Sequence, residues 1–120
     1  MAEISLRIDL GEDRHFGPGK ARLLELIRDT GSISAAGRAL GMSYRRAWLL
    51  TDELNTMFGQ QLVEPQHGGA KGGGARVTPQ GIATLEAYRR IEVAAEAALE
   101  KERKLFKASG TPRKRKAAAG

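Results

Sequence analysis

The stretch Gly41-Met42-Ser43-Tyr44-Arg45-Arg46-Ala47-Trp48 carries a stop signal and a start signal within three residues. Gly41 can leave a helix through the left-handed conformation, and the Ser43 hydroxyl can cap a new helical N-terminus. Two helices therefore meet at a tight turn, and the second carries Tyr44, Arg45 and Arg46 in its first turn.

Upstream of that turn, Ser32 can cap a short helix whose stripe is Ile33, Ala36 and Leu40. Before it, Pro18 suits a first helical turn, Leu23, Leu24 and Ile27 share a face, and Gly31 ends the segment, which predicts a helix over Pro18 to Thr30. Earlier still, Ile4, Leu6, Ile8 and Leu10 alternate with Ser5, Arg7 and Asp9, the period of a half-buried strand.

Downstream, Ala47, Leu50, Leu54 and Phe58 predict a helix over residues 43–58 that Gly59 closes. Gln61-Leu62-Val63-Glu64 and Ala75-Arg76-Val77-Thr78 read as two strands joined by the glycine-rich tip of residues 67–74. Thr78-Pro79 then opens a long helix over residues 79–107, with Ile82, Leu85, Tyr88, Ile91, Ala95, Ala98 and Leu99 recurring every three or four positions. Glu86 with Arg90, and Glu100 with Lys104, are spaced for ion pairs along it.

The expected fold is mainly α with a small β wing, a winged helix-turn-helix with a long C-terminal dimerisation helix. Residues 1–107 make one domain, including the linker and dimerisation helix 79–107, and residues 108–120 form a disordered basic tail. At 120 residues and 41% apolar content there is room for one modest core.

The formal charge of +6 and a pI near 10.1 favour a polyanionic partner, although Arg113-Lys114-Arg115-Lys116 alone supplies four of those charges. No cysteine is present, which excludes disulfides and thiolate metal sites and suits a reducing cytoplasm. Nowhere do about eighteen apolar residues run together, so a soluble, unprocessed, cytoplasmic and nucleoid-associated protein without membrane attachment is expected.

In a winged helix the helix after the tight turn enters a DNA major groove. With Ala47, Leu50, Leu54 and Phe58 on the core, a step of about 100° per residue sets Arg45 nearly opposite, flanked by Tyr44 and Arg46. Arginine can offer two donors to guanine O6 and N7, whereas Ser43 and Tyr44 more often reach phosphate or one base edge. Arg45 is the first candidate for specificity. Trp48, at the edge of the core face, reads first as packing and second as a DNA contact, and Leu49 falls on the exposed side without a role.

Lys71 stands among glycines at the hairpin tip, where backbone can approach phosphates or a minor groove, and Arg76 follows on the return strand. The candidate DNA contacts are thus Ser32, Ser43, Tyr44, Arg45, Arg46, Trp48, Lys71 and Arg76. The plainer alternatives are a solvated arginine face, serines that only cap, and a flexible loop. Neither Gly19-Lys20-Ala21 nor Lys71-Gly72-Gly73 makes a nucleotide-binding loop. His15 and His67 have no partner at ligand spacing, so no catalytic residue, metal, cofactor or small-molecule site is expected.

The blocks Thr30-Gly-Ser-Ile-Ser, Gly41 to Trp48, Leu62-Val-Glu, Gly68 to Ala75 and Val77-Thr78 resemble the N-terminal domain of the ModE family of bacterial molybdate-responsive regulators, itself related to LysR-type winged helices. The resemblance covers about residues 4–107. It implies that the stretch from Ser43 is the recognition helix, that the glycine-rich block is the wing, and that the helix after Thr78 pairs two subunits through Ile82, Leu85, Tyr88, Ile91, Ala95 and Leu99. Full-length members continue into a molybdate-binding module where this chain has its basic tail, so molybdate sensing is not expected within it.

The function expected is sequence-specific regulation of transcription by a homodimer on double-stranded operator DNA, in molybdenum-related gene regulation. The alternatives are an architectural protein that coats DNA with little regard for sequence, and a winged helix turned to protein contact. The tail reads as phosphate anchoring or a solubility aid before it reads as a nuclear address.

Overall fold

The computed structural model describes residues 2–66 and 74–107. Its elements, in order, are β1 (Ile8–Gly11), β2 (Arg14–Phe16), α1 (Pro18–Thr30), α2 (Ile33–Ala39), α3 (Tyr44–Met57), β3 (Val63–Gln66), β4 (Gly74–Val77), α4 (Pro79–Glu102) and a 3-10 turn, Arg103–Phe106. The helix boundaries follow the caps. Ser32 accepts from the Ala35 amide, Ser43 from the Arg46 amide and Thr78 from the Gly81 amide, while Gly41 takes φ +70° at the turn between α2 and α3.

The N-terminal segment differs from expectation in one respect. Ile4, Leu6, Ile8 and Leu10 are half-buried and Ser5, Arg7 and Asp9 exposed, as the alternation predicts, but the hydrogen-bonded ladder starts only at Ile8 and needs a second strand. Glu12 and Asp13 turn the chain with positive φ, and β2 returns antiparallel, pairing Phe16 with Ile8 and His15 with Asp9. That turn carries Phe16 into the core, where its ring meets Tyr88 and Phe58 edge-on at centroid distances of 5.0 and 6.1 Å.

Around Phe16 the core collects Leu23, Leu24 and Ile27 from α1, Leu54 from α3, Leu62, and Leu85 and Tyr88 from α4. Each buries an aliphatic or aromatic side chain at about 1.5–3 kcal/mol. Helices α2 and α3 cross closely, since a Cβ on Gly37 would stand 2.9 Å from that of Ala47. On α3 the inward face is rotated from the expected one: Thr51 and Met57 join Ala47 and Leu54 in burial, whereas Leu50 and Phe58 sit at its margin. Thr51 lies inside because its hydroxyl donates to the Ala47 carbonyl at 2.8 Å.

Helix α4 is shorter than the 79–107 span. Its ladder tightens at Arg103, whose amide bonds the Glu100 carbonyl, and continues as 3-10 structure. The two predicted ion pairs do not form. Arg103 takes Glu100 at 2.7 Å, and Arg89, not Arg90, reaches across to Glu25 of α1 at 2.9 Å and to Glu92 at 2.7 Å.

Residues Ala2 to Leu6 run along α4 as a strap. The Tyr88 hydroxyl donates to the Leu6 carbonyl at 2.6 Å, the Ile4 amide donates to Glu96 Oε1 at 2.9 Å, and Arg103 donates to the Ala2 carbonyl. Among the described residues no buried side-chain polar atom lacks a partner.

The α1–α4 contact has a measurable pH signature. Burial pushes the Glu25 carboxyl up, but hydrogen bonds from Arg89 and Arg22 and their positive charges outweigh it and hold the group below its ordinary value. A carboxyl depressed by folding stabilises above its unfolded pKa of about 4.3 and loses that contribution as pH falls through the folded value. Denaturant titrations should show the intact chain losing about 0.5–1 kcal/mol more than Glu25→Gln on acidification through that window. Parallel curves would remove the pair from the stability of the fold.

Candidate nucleic-acid interface

Three hydrogen bonds hold α3 to the hairpin, and a fourth ties the hairpin to α1. Asn55 of α3 accepts from the Leu62 and Val63 amides through Oδ1 and donates to the Val63 carbonyl through Nδ2, all at 2.9 Å. The Ala75 amide, on the return strand, donates to the Gly31 carbonyl at the end of α1, also at 2.9 Å. Asparagine is a poor helix former, and one in the last turns of a predicted helix is the signal by which this clasp is legible in sequence.

The hairpin itself pairs Val63 with Val77, Glu64 with Arg76, Pro65 with Ala75 and Gln66 with Gly74. Lys71 and His67 lie outside the described residues, as does the tail of residues 108–120. His15 lies on β2, where its backbone carbonyl accepts from Lys20 at 3.0 Å, and among the described residues no cluster of His, Asp or Glu could hold a metal. Lys20 is buried to 7% exposure and also pairs with Glu53 at 3.3 Å, tying α1 to α3.

Taking Arg45 as the reference and stepping about 100° per residue, the buried Ala47, Thr51, Leu54 and Met57 centre almost opposite it. The outermost line of α3 is therefore Arg45, Leu49 and Asp52, with Trp48 beside it. Arg45 and Arg46 are exposed, and neither, like Arg38 and Arg90, has a carboxylate partner among the described residues, whereas Arg7, Arg14, Arg22, Arg28, Arg76, Arg89 and Arg103 each have one. Two unpaired cations thus sit at the helix N-terminus, where the backbone amides already favour anions.

Trp48 departs from its first reading. It is 46% exposed and does not pack in the core; its indole N–H donates to the Tyr44 hydroxyl and the two rings meet edge-on at 6.5 Å. The pair forms one wall of a groove of about 430 Å³ between α3 and the hairpin, which also includes Ser32, Asp52, Asn55 and Pro65. Ser32 and Ser43 use their lone pairs as caps, which leaves each hydroxyl proton available to an acceptor outside the protein.

Two expected assignments change. Arg76 is tied across the hairpin to Glu64, so it is not a free cation like Arg45. On α4, Leu85 and Tyr88 are 1% exposed inside the domain's own core, so these two are not open to a partner, and Ile82 is half-buried against the same core. The residues that remain outward are Ile91 at 44% and Val93 at 70%, with Ala95 and Leu99 half-buried. Val93 falls outside the expected stripe, and Leu49, at 52% exposure, stands free of the core as its place on the wheel implied.

A three-helix head whose second and third helices meet at a tight turn, followed by a two-stranded hairpin and a long helix, defines a winged helix-turn-helix protein. The family model for bacterial regulatory helix-turn-helix proteins of the lysR family matches residues 19–82, and the chain belongs to that family.

The chain is 43% identical over 83 residues to the molybdenum-pterin-binding protein MopA of Rhodobacter capsulatus, an alignment covering 69% of this chain and 31% of that protein. It is 38% identical over 88 residues to the transcriptional regulator ModE of Yersinia pestis, covering 73% and 34%. It thus spans about a third of the length of these curated relatives, and the ModE-like character read from the sequence is met within that span. Among solved structures, the DNA-binding domain of CbnR in its complex with DNA shares the fold, with a TM-score of 0.57 and 24% identity over 74% of this chain and 97% of that one.

Proposed function

We propose that the chain is a sequence-specific DNA-binding regulator of transcription that reads operator DNA with α3 in the major groove. The observation that carries this reading is the unpaired Arg45 and Arg46 at the exposed N-terminus of a helix whose opposite face is locked into the core. The hairpin, held by Asn55, is the wing, Ser32, Tyr44 and Trp48 line the approach on its side of α3, and Ser43 caps the helix beside Tyr44. The relatives named for molybdenum and for ModE support a role in molybdenum-related gene regulation. No helix of the described residues is long and apolar enough to cross a membrane.

The regulator acts as a homodimer through α4. The exposed Ile91 and Val93, with Leu105 and Phe106 at 79% and 58% exposure, present apolar surface that one small domain does not cover. Light scattering of the intact chain at micromolar concentration should give twice the monomer mass, and Ile91→Glu should return the monomer. A monomeric intact chain would defeat the dimer without touching the reading of α3.

The reading of α3 is tested by selecting bound duplexes from a random pool. A recovered consensus is expected, whereas equal affinity for selected and random duplexes would replace sequence reading with the architectural alternative.

A further inference from the structure

An exposed leucine on the outward line of α3, one turn after its two exposed arginines, calls for an occupant. Leu49 is 52% exposed, is absent from the core cluster and its margin, and lies one turn beyond Arg45 on the outermost line of α3. It occupies a ridge. The groove on one side is lined by Arg46 and Leu50, the groove on the other by Tyr44 and Trp48, and Leu49 lines neither. A convex apolar point one turn after two unpaired arginines at the exposed start of α3 fits a concave, anionic surface better than it fits the cleft of another protein.

Resting on the placement of α3 in the major groove, we infer that Leu49 reads the C5-methyl group of a thymine. Of the base edges in that groove, the thymine methyl is the one apolar feature. Against an amino group or a carbonyl the leucine would strip water from a polar atom without replacing its hydrogen bond, so the same side chain rejects the other bases. Four residues of helix advance about 6 Å, and base pairs follow at about 3.4 Å. The thymine therefore lies within about two base pairs of the position read by Arg45. Asp52, a further turn along, sets the inner limit of close approach, since its carboxylate is repelled by phosphate and accepts only from a donor such as cytosine N4.

The test uses the intact chain and the tightest duplex recovered from a random pool, with each thymine replaced singly by deoxyuridine, which keeps the pairing and removes only the methyl. Binding should weaken about fourfold at one position in each half-site, equivalent to ~0.8 kcal/mol for the lost methyl contact. Leu49→Ala, at an exposed helical site where alanine is well tolerated, should bind the thymine and uridine duplexes alike.

A chain that discriminates the selected duplex from random DNA but loses nothing at any uridine overturns the inference, as does a uridine cost that survives unchanged in Leu49→Ala. Failure to discriminate any duplex would instead reject the placement of α3, and this inference with it.

Discussion

Arg45→Ala should abolish preference for guanine at one position of each half-site while leaving the fold intact. The side chain is exposed and makes no ion pair among the described residues, so its removal leaves no buried group unsatisfied. A bidentate arginine–guanine contact discriminates by about 1–3 kcal/mol, roughly 5- to 150-fold in relative affinity for the cognate over the substituted base. Competition between duplexes that differ at single positions measures it. Lys71→Ala should behave differently, weakening all duplexes alike and reducing the salt dependence of binding, because a phosphate contact carries no base information. An Arg45→Ala protein with unchanged preference at every position would transfer the reading role elsewhere on α3.

Gly81→Ala should produce the largest loss of stability among single conservative changes. A Cβ there would stand 2.4 Å from the Leu62 carbonyl oxygen and 2.6 Å from Val77 Cγ1. The carbonyl cannot easily withdraw, because it accepts from the Thr78 amide at 2.9 Å and the Leu62 amide is held by Asn55. Overpacking of this kind costs about 1–3 kcal/mol, and against backbone the upper end is expected. For a domain of this size that corresponds to a fall in Tm of roughly 10–20 °C by calorimetry. Gly19→Ala is the control, since a Cβ there meets nothing within 4 Å and should hold or raise Tm. Equal Tm values for the two variants would show that Leu62 and Val77 can part from α4 without penalty.

The helices were legible because their ends are written in local chemistry. Pro18, Ser32, Gly41, Ser43, Thr78 and Pro79 each act within one turn of chain, and every corresponding boundary lies within a residue or two of its expected place. What local chemistry does not encode was harder to see. The strand β2 is three residues long, charged at its first position, and reached through Glu12 and Asp13, two residues that rarely take the positive φ they share here with Gly11. Thr51 displaced Leu50 from the inner face through a hydrogen bond to its own helix, which no hydrophobic periodicity reports.

The candidate site was legible to a similar depth. Arg45, Arg46 and Tyr44 follow from helical geometry alone, and the structure places all three outward. Trp48 was misread because tryptophan is usually covered, whereas here Tyr44, four residues earlier, gives its N–H a partner at the surface. Arg76 and Tyr88 needed knowledge of who faces them across the fold: Glu64 on the neighbouring strand for one, Phe16 and Leu6 for the other.

The extended segment that runs beside α4 bears on how two copies would measure DNA. Bonded at Tyr88, Glu96 and Arg103, it stiffens that helix over most of its length, so each head is carried on a braced lever and not on a tether. In a dimer joined through α4, torsional slack between the heads would then be small, and helical phase along the duplex, more than mere distance, would decide which pairs of half-sites it grips at once.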